Sequence, residues 1–92
     1  MNEHTALNSL IIEGVASNYT DGVFTLSYQK EWNVFTIPAI VFPEELKKRL
    51  STEFKQRSEI KLRIVGGLMY HANGIKIAVD HVALLNCEQT VA

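Results

Sequence analysis

The stretch IVGGLMYHANGIKIAVDHVALL, residues 64–85, decides the fold of this 92-residue chain. It is rich in β-branched residues, which favour strands. Asn73-Gly74, between two extended segments, is typical of a two-residue type I′ hairpin turn, because both central residues need a positive φ. Gly66-Gly67 indicates a bulge or kink of the kind that lets a short strand curl around a barrel corner. The stretch therefore predicts the closing hairpin of a small barrel.

Three further strands are indicated upstream by apolar runs and by alternation with a period of two. The first spans Leu7–Ser17 and ends before a turn at Asp21-Gly22, the second spans Val23–Tyr28, and the third spans Val34–Phe42. Pro38 interrupts the third strand and cannot donate a ladder hydrogen bond. We therefore expect an edge or a bulge at that point.

A helix is predicted over Pro43–Arg57, because Leu46, Leu50 and Phe54 recur every four residues and Pro43 suits a first helical turn. Its many charges are typical of a solvated face, and a site for a partner is the alternative. Oppositely charged residues stand four apart and can pair along the helix, namely Glu44/Lys48, Glu45/Arg49 and Glu53/Arg57.

The period of two returns at Ile60 and predicts a fourth strand, on which Lys61 and Arg63 face outward. The fifth strand covers Ile75–Val79, with an extension towards Leu85. Five strands with one helix between the third and the fourth is the order of an OB-fold, a mainly β barrel whose sheet face binds oligonucleotides or oligosaccharides. We expect one domain over residues 1–92, with the barrel at about 6–85 and short flexible termini.

Composition limits the possible functions. Nine basic and ten acidic residues give a net charge of −1, so any affinity for nucleic acid depends on local patches and not on a general positive field. The single Cys87 excludes a disulfide framework within the chain. No charged segment precedes an apolar targeting segment, so we expect a cytoplasmic protein with no membrane association.

Four segments resemble bacterial single-stranded-DNA-binding proteins in their order and spacing. They are LNSLIIEGVAS (7–17) for the first strand, FTLSYQKEW (24–32) for the second, IVFPEELKKRL (40–50) for the third strand and helix, and IKLRIVGGL (60–68) for the fourth. The resemblance covers about residues 6–85. It implies an OB-fold protein that binds single-stranded DNA without sequence preference and serves in DNA replication and repair.

The resemblance also implies which residues bind. Trp32 and Phe42 match places where the family stacks bases on aromatic rings, although a rim residue on a loop and an apolar lead-in to the helix are the alternatives. Lys61 and Arg63 face outward and could contact phosphates, or simply be solvated. The nucleic-acid-binding residues that we predict are Trp32, Phe42, Lys30, Lys61, Arg63 and Tyr70.

Departures from the family pattern indicate weak binding. The loop between strands two and three and the basic hairpin between strands four and five are both short here. Thr36 stands where the third strand carries another stacking aromatic residue, and Tyr70 lies in a segment that is usually basic. We also expect the protein to lack the acidic, Phe-ended tail by which the family recruits repair and replication partners. The alternative function is an OB-fold module that binds protein and has lost most of its nucleic-acid surface.

No enzyme activity is expected. His71, His81 and Cys87 lack the paired short spacing of metal ligands. Asp80 and His81 are neighbours on a strand and should point to opposite faces, which argues against an acid/base pair. The predictions therefore include no metal, no cofactor and no small-molecule substrate.

A homodimer is expected through the first strand, where the family pairs its subunits. Residues 8–13 are long enough to pair with the same segment of a second copy, which would cover an edge of the barrel. The alternative is a monomer in which the arm Met1–Ala6 protects that edge.

Overall fold

The computed structural model describes residues 9–85, which form a closed barrel of five strands with one helix. The elements are β1 (Leu10–Thr20), β2 (Val23–Lys30), β3 (Asn33–Val41), α1 (Glu44–Gln56), β4 (Glu59–His71) and β5 (Gly74–Leu84). The order around the barrel is β1-β2-β3-β5-β4, and β4 pairs back with β1. All neighbours are antiparallel except β3 and β5, which are parallel. The predicted OB-fold architecture is confirmed.

The element boundaries differ from the predicted ones by a few residues. β1 runs on to Thr20, three residues beyond the predicted end, and α1 begins and ends one residue inside the predicted helix. Leu7, the arm at residues 1–6 and Cys87 lie outside the described residues. The predicted single domain over residues 1–92 can therefore be followed only over the barrel itself.

The barrel interior is filled by the residues that the period of two predicts to face inward. β4 shows the pattern clearly, because Ile60, Leu62 and Ile64 are buried while Lys61 and Arg63 between them are exposed. Each large apolar side chain buried in this way stabilises the fold by roughly 1.5–3 kcal/mol relative to exposure. The buried core comprises Ala16, Phe24, Leu26, Ala39, Val41, Leu46, Leu50, Ile60, Leu62, Ile64, Ile77 and Val79.

The helix α1 packs its apolar face against one end of the barrel. Leu46 and Leu50 are buried, and the ring of Phe54 stacks on Tyr19 with centroids 5.1 Å apart. The Tyr19 hydroxyl donates a hydrogen bond to the carbonyl oxygen of Lys47 at 3.1 Å. No helix within residues 9–85 is long and apolar enough to cross a membrane.

Ion pairs along α1 follow the predicted pattern in part. Among the described residues only one of the three predicted pairs forms, between Glu53 and Arg57 at 3.2 Å. Glu44 pairs with Lys47, three residues on, at 3.4 Å. Pairs of this kind on a helix contribute about 0.3–0.5 kcal/mol each, so the charged face of α1 adds little to stability.

The hairpin between β4 and β5 contains the predicted bulge, but its turn lies one residue earlier than predicted. Val65 pairs with His81 and Gly66 pairs with Val79, which leaves Asp80 on β5 as the extra residue. The turn residues with positive φ are Ala72 (52°) and Asn73 (67°), so the predicted Asn73-Gly74 turn is wrong.

The position of the bulge explains this difference. An extra residue on β5 advances the register beyond the bulge by one residue, and the hairpin then closes at positions 72 and 73. A turn at positions 73 and 74 needs the extra residue on β4 instead. The Gly66-Gly67 pair predicts a bulge without indicating which strand contains the extra residue.

Pro38 lies on an edge, as expected. β3 pairs with β2 along its whole length, but it pairs with β5 only at positions 39–41. The first part of β3, including Pro38, therefore pairs only with β2 among the described strands. The missing N–H of Pro38 interrupts no ladder with β5.

Candidate nucleic-acid interface

Two hairpins project from the same end of the barrel, away from α1. β2 and β4 are both antiparallel to β1, so they run in the same direction and their turns follow at the same end. The turns are Glu31-Trp32 and Ala72-Asn73, each of two residues. The short connections that the sequence predicts are confirmed. We call this part of the molecule the hairpin end.

The β2–β3 hairpin presents an exposed tryptophan next to a lysine. Trp32 is 92% exposed at the tip of the turn, and Lys30 is exposed at the end of β2. The Gln29 side-chain amide donates a hydrogen bond to the carbonyl oxygen of Glu31 at 3.4 Å. A ring this exposed gains little from packing, so it is available to stack on a flat partner.

A second aromatic group lies on the same hairpin, and the sequence reasoning missed it. Tyr28 and Phe35 face each other across β2 and β3, with ring centroids 5.5 Å apart and an interplanar angle of 29°. Phe35 remains 42% exposed. The signal was present in the sequence, because Tyr28 and Phe35 are equally far from a two-residue turn at 31 and 32.

The β4–β5 hairpin adds an exposed tyrosine and an apolar hollow. Tyr70 is 73% exposed and pairs across the strands with Ile75. Leu68, Met69, Tyr70 and Ile75 line a shallow hollow of about 250 Å³. Residues 66–77 contain one lysine, one histidine and no acidic residue. This hairpin is therefore apolar and aromatic, with no carboxylate to repel a phosphate.

A groove of about 550 Å³ crosses the outer surface of the barrel. It begins at Lys61 on β4, passes β1 and β2, and reaches Val34 on β3, two residues from Trp32. The groove exists because β1 pairs with β2 only from Val15 onward, so the first half of β1 separates from the end of β2. Its lining is formed by Glu13, Gly14, Val15, Ser27, Tyr28, Gln29, Val34, Lys61 and Leu85.

The two predicted phosphate contacts differ in their surroundings. Arg63 is held by Glu13, which it faces directly across β4 and β1. Its Nη2 and Nε lie 2.7 Å and 2.8 Å from the same carboxylate oxygen. Lys61 is exposed and forms no ion pair within residues 9–85. Of the two, Lys61 is the cation that an incoming anion reaches without displacing a carboxylate.

Phe42 lies apart from the other predicted site residues. It directly follows β3 at the α1 end of the barrel, ten residues beyond Trp32. An extended strand of that length covers roughly 30 Å. Phe42 is exposed, but a ligand has to follow β3 from end to end in order to contact both rings.

The outer face of the β2–β3 hairpin is uncharged. Its paired residues are Val23/Ile40, Thr25/Pro38, Ser27/Thr36 and Gln29/Val34. Thr36 lies in the middle of this face, where the family resemblance places another stacking ring. The aromatic groups are found instead at the turn and on the opposite face of the hairpin.

A separate cleft of about 270 Å³ lies between α1 and the β5 bulge, where it includes Glu45, Arg49, Asp80 and His81. The bulge breaks the alternation of β5, so Asp80 and His81 are both exposed and line the same cleft. The expectation that they point to opposite faces is wrong for this reason. Within residues 9–85, no three His, Cys, Asp or Glu side chains are grouped so that they could hold a metal ion.

Comparison of the sequence with protein-family models and with curated proteins gives no match. The function proposed below therefore rests on the barrel and on the side chains of the groove and the hairpin end.

Proposed function

We propose that this chain is an OB-fold protein that binds single-stranded DNA weakly and without sequence preference, as in DNA replication and repair in the cytoplasm. One observation supports this function most directly. Exposed aromatic rings, Trp32 and Tyr70, lie on two hairpins that end at the same end of an OB-fold barrel. Lys30 adjoins Trp32, and the groove leads from Val34 towards Lys61.

The chemistry of this arrangement suits a flexible polyanion with flat bases. A base can stack on Trp32 or Tyr70 whatever its identity, because every base has a π-face, and each stack contributes about 1–3 kcal/mol. Lys30 and Lys61 form no ion pair within residues 9–85 and can each neutralise one phosphate. Two cations in a chain of net charge −1 favour weak and salt-sensitive binding.

A ring-removal experiment tests the stacking role. Tyr70→Leu and Trp32→Leu keep apolar surface but remove the ring, and each should weaken binding of a fluorescently labelled oligo-dT by about 5- to 150-fold. Tyr70→Phe is the matched control, since it keeps the ring, and its affinity should equal that of the wild type. Fluorescence anisotropy measures all four proteins. Equal affinity for the Leu and Phe variants would rule out stacking at Tyr70.

A protein-interaction module is the second candidate, and the uncharged outer face of the β2–β3 hairpin favours it. The paired residues of this face, which include Val34, Pro38 and Ile40, are all uncharged, so the face has no cation to meet a phosphate. This candidate predicts that oligo-dT does not bind at low salt. The anisotropy measurement above therefore distinguishes the two functions.

We propose further that the protein is a homodimer paired through β1. Within the described residues, positions 10–12 of β1 pair with β4 only and are not part of the groove lining, so their other edge is open to a second strand. A dimer would place two weak DNA sites on one assembly and increase the avidity for a long strand.

Light scattering tests the dimer. The wild type should have twice the 10.4 kDa of one chain, and a mass of one chain would contradict the proposal. Ile11→Lys puts a charge on the exposed outer side of β1 and should reduce the mass towards one chain. Ile75→Lys is the matched control, because Ile75 has similar exposure on another strand, and it should leave the mass unchanged.

A further inference from the structure

The ion pair between Glu13 and Arg63 has short contacts but contributes little to the stability of the fold. Two guanidinium nitrogens of Arg63 approach one Glu13 oxygen, at 2.7 Å and 2.8 Å. Both side chains are about half exposed, at 47% and 56%. An exposed pair of this kind contributes at most about 1 kcal/mol, and the buried core of the barrel does not depend on it.

The position of the pair is more informative than its energy. Glu13 lines the outer groove together with Lys61, two residues before Arg63 on the same face of β4. A phosphate that reaches Lys61 along this groove meets the carboxylate of Glu13 in the same space. Arg63 suits phosphate better than Lys61 does, because a guanidinium presents a planar fork of donors to two oxygens at once.

We infer that Glu13 is an intramolecular competitor that occupies Arg63 and so limits the affinity of the groove for nucleic-acid phosphate. This inference rests on the proposed DNA-binding function and adds a way in which the affinity for DNA is limited. In the free protein, Arg63 donates to Glu13. When a strand fills the groove of the wild type, Glu13 keeps those two donors, and the phosphate contacts Lys61 without Arg63. The wild-type complex therefore lacks one phosphate contact, which keeps it weak and easily reversed.

The variant Glu13→Gln tests this competition, because it removes the charge and keeps the size of the side chain. Its affinity for labelled oligo-dT at low salt should rise by about fivefold, the equivalent of one exposed ion pair. The slope of log K against log salt should steepen by about 0.7, as expected for one more phosphate contact on a single strand. Circular dichroism should show an unchanged fold, since the lost pair is exposed.

Two controls separate this effect from a change in net charge. Glu59→Gln makes the same charge change on β4, where Glu59 is exposed and pairs with no cation within residues 9–85. It should leave affinity and slope close to those of the wild type. The double variant Glu13→Gln/Arg63→Gln should lose the gain, because the released guanidinium is gone.

The outcomes distinguish this inference from the proposed function. Equal gains in Glu13→Gln and Glu59→Gln would overturn the competition and leave DNA binding in place. Wild-type binding that Glu13→Gln does not change would overturn it as well. If neither the wild type nor Glu13→Gln binds oligo-dT, the proposed function fails and the inference fails with it.

Discussion

Replacing Gly66 by alanine should destabilise the barrel, because a side chain at this position has no space. A Cβ on Gly66 would overlap the carbonyl oxygen of Ala78, and it would lie 3.0 Å from the Ala78 carbonyl carbon and 3.2 Å from the Val79 Cα. All three atoms belong to the backbone of β5 beside the bulge, so β5 itself has to move. Overpacking of this kind costs typically about 1–3 kcal/mol.

That cost is large for a domain of this size. A chain of 92 residues has a free energy of unfolding of roughly 5–14 kcal/mol, and a loss of 1 kcal/mol lowers its Tm by about 4–8 °C. Gly66→Ala should therefore lower the Tm by at least about 4 °C. Thermal unfolding followed by circular dichroism measures the change.

Gly74→Ala is the matched control for this substitution. A Cβ there meets only the flexible end of Lys76, with Nζ at 3.8 Å, and the backbone of Gly74 is not left-handed. Its stability should stay the same or rise by up to about 1 kcal/mol through the reduced freedom of the unfolded chain. Equal unfolding midpoints for Gly66→Ala and Gly74→Ala would show that the close approach of β4 to β5 at the bulge is wrong.

Two further predictions concern the hairpin turn and the length of DNA that the protein engages. Ala72 has a φ of 52°, which disfavours a residue with a Cβ. Ala72→Gly should therefore raise the free energy of unfolding, measured by urea titration, by up to about 1 kcal/mol. An unchanged or lower free energy of unfolding would contradict the turn position. Phe42→Ala should weaken binding only of oligo-dT long enough to follow β3 from Trp32, so anisotropy should show a loss with about 16 nucleotides and none with about four. Equal losses at both lengths would contradict the separation of the two rings.

The sequence predicts the barrel well, because each strand combines a period of two with clear turn residues. Ile60, Leu62 and Ile64 alternate with Lys61 and Arg63, and this pattern alone assigns the inner and outer faces of β4. The number of strands and the helix position follow from the succession of these segments. Such features are local, and a single sequence contains all the information that they need.

The features that the sequence does not predict depend on contacts between distant residues. The Glu13–Arg63 pair joins residues 50 positions apart and exists only in the actual register of β1 against β4. The register of the β4–β5 hairpin depends on Asp80, which is the extra residue of the bulge. No residue pattern in the sequence marks Asp80 as the extra residue. For the candidate site, the exposure of Trp32 and Tyr70 follows from short turns that the sequence does indicate, whereas the groove depends on where β1 separates from β2.

The most direct test of DNA binding uses the single tryptophan of the chain as the probe. Trp32 is 92% exposed at the hairpin end, so a base that stacks on it should quench its emission. Titration of the wild type with oligo-dT at low salt should give saturable quenching at micromolar concentrations. The slope of log K against log salt should be about −1.4, as expected for phosphate contacts from Lys30 and Lys61. Emission that stays constant up to tens of micromolar oligo-dT would contradict DNA binding at the hairpin end.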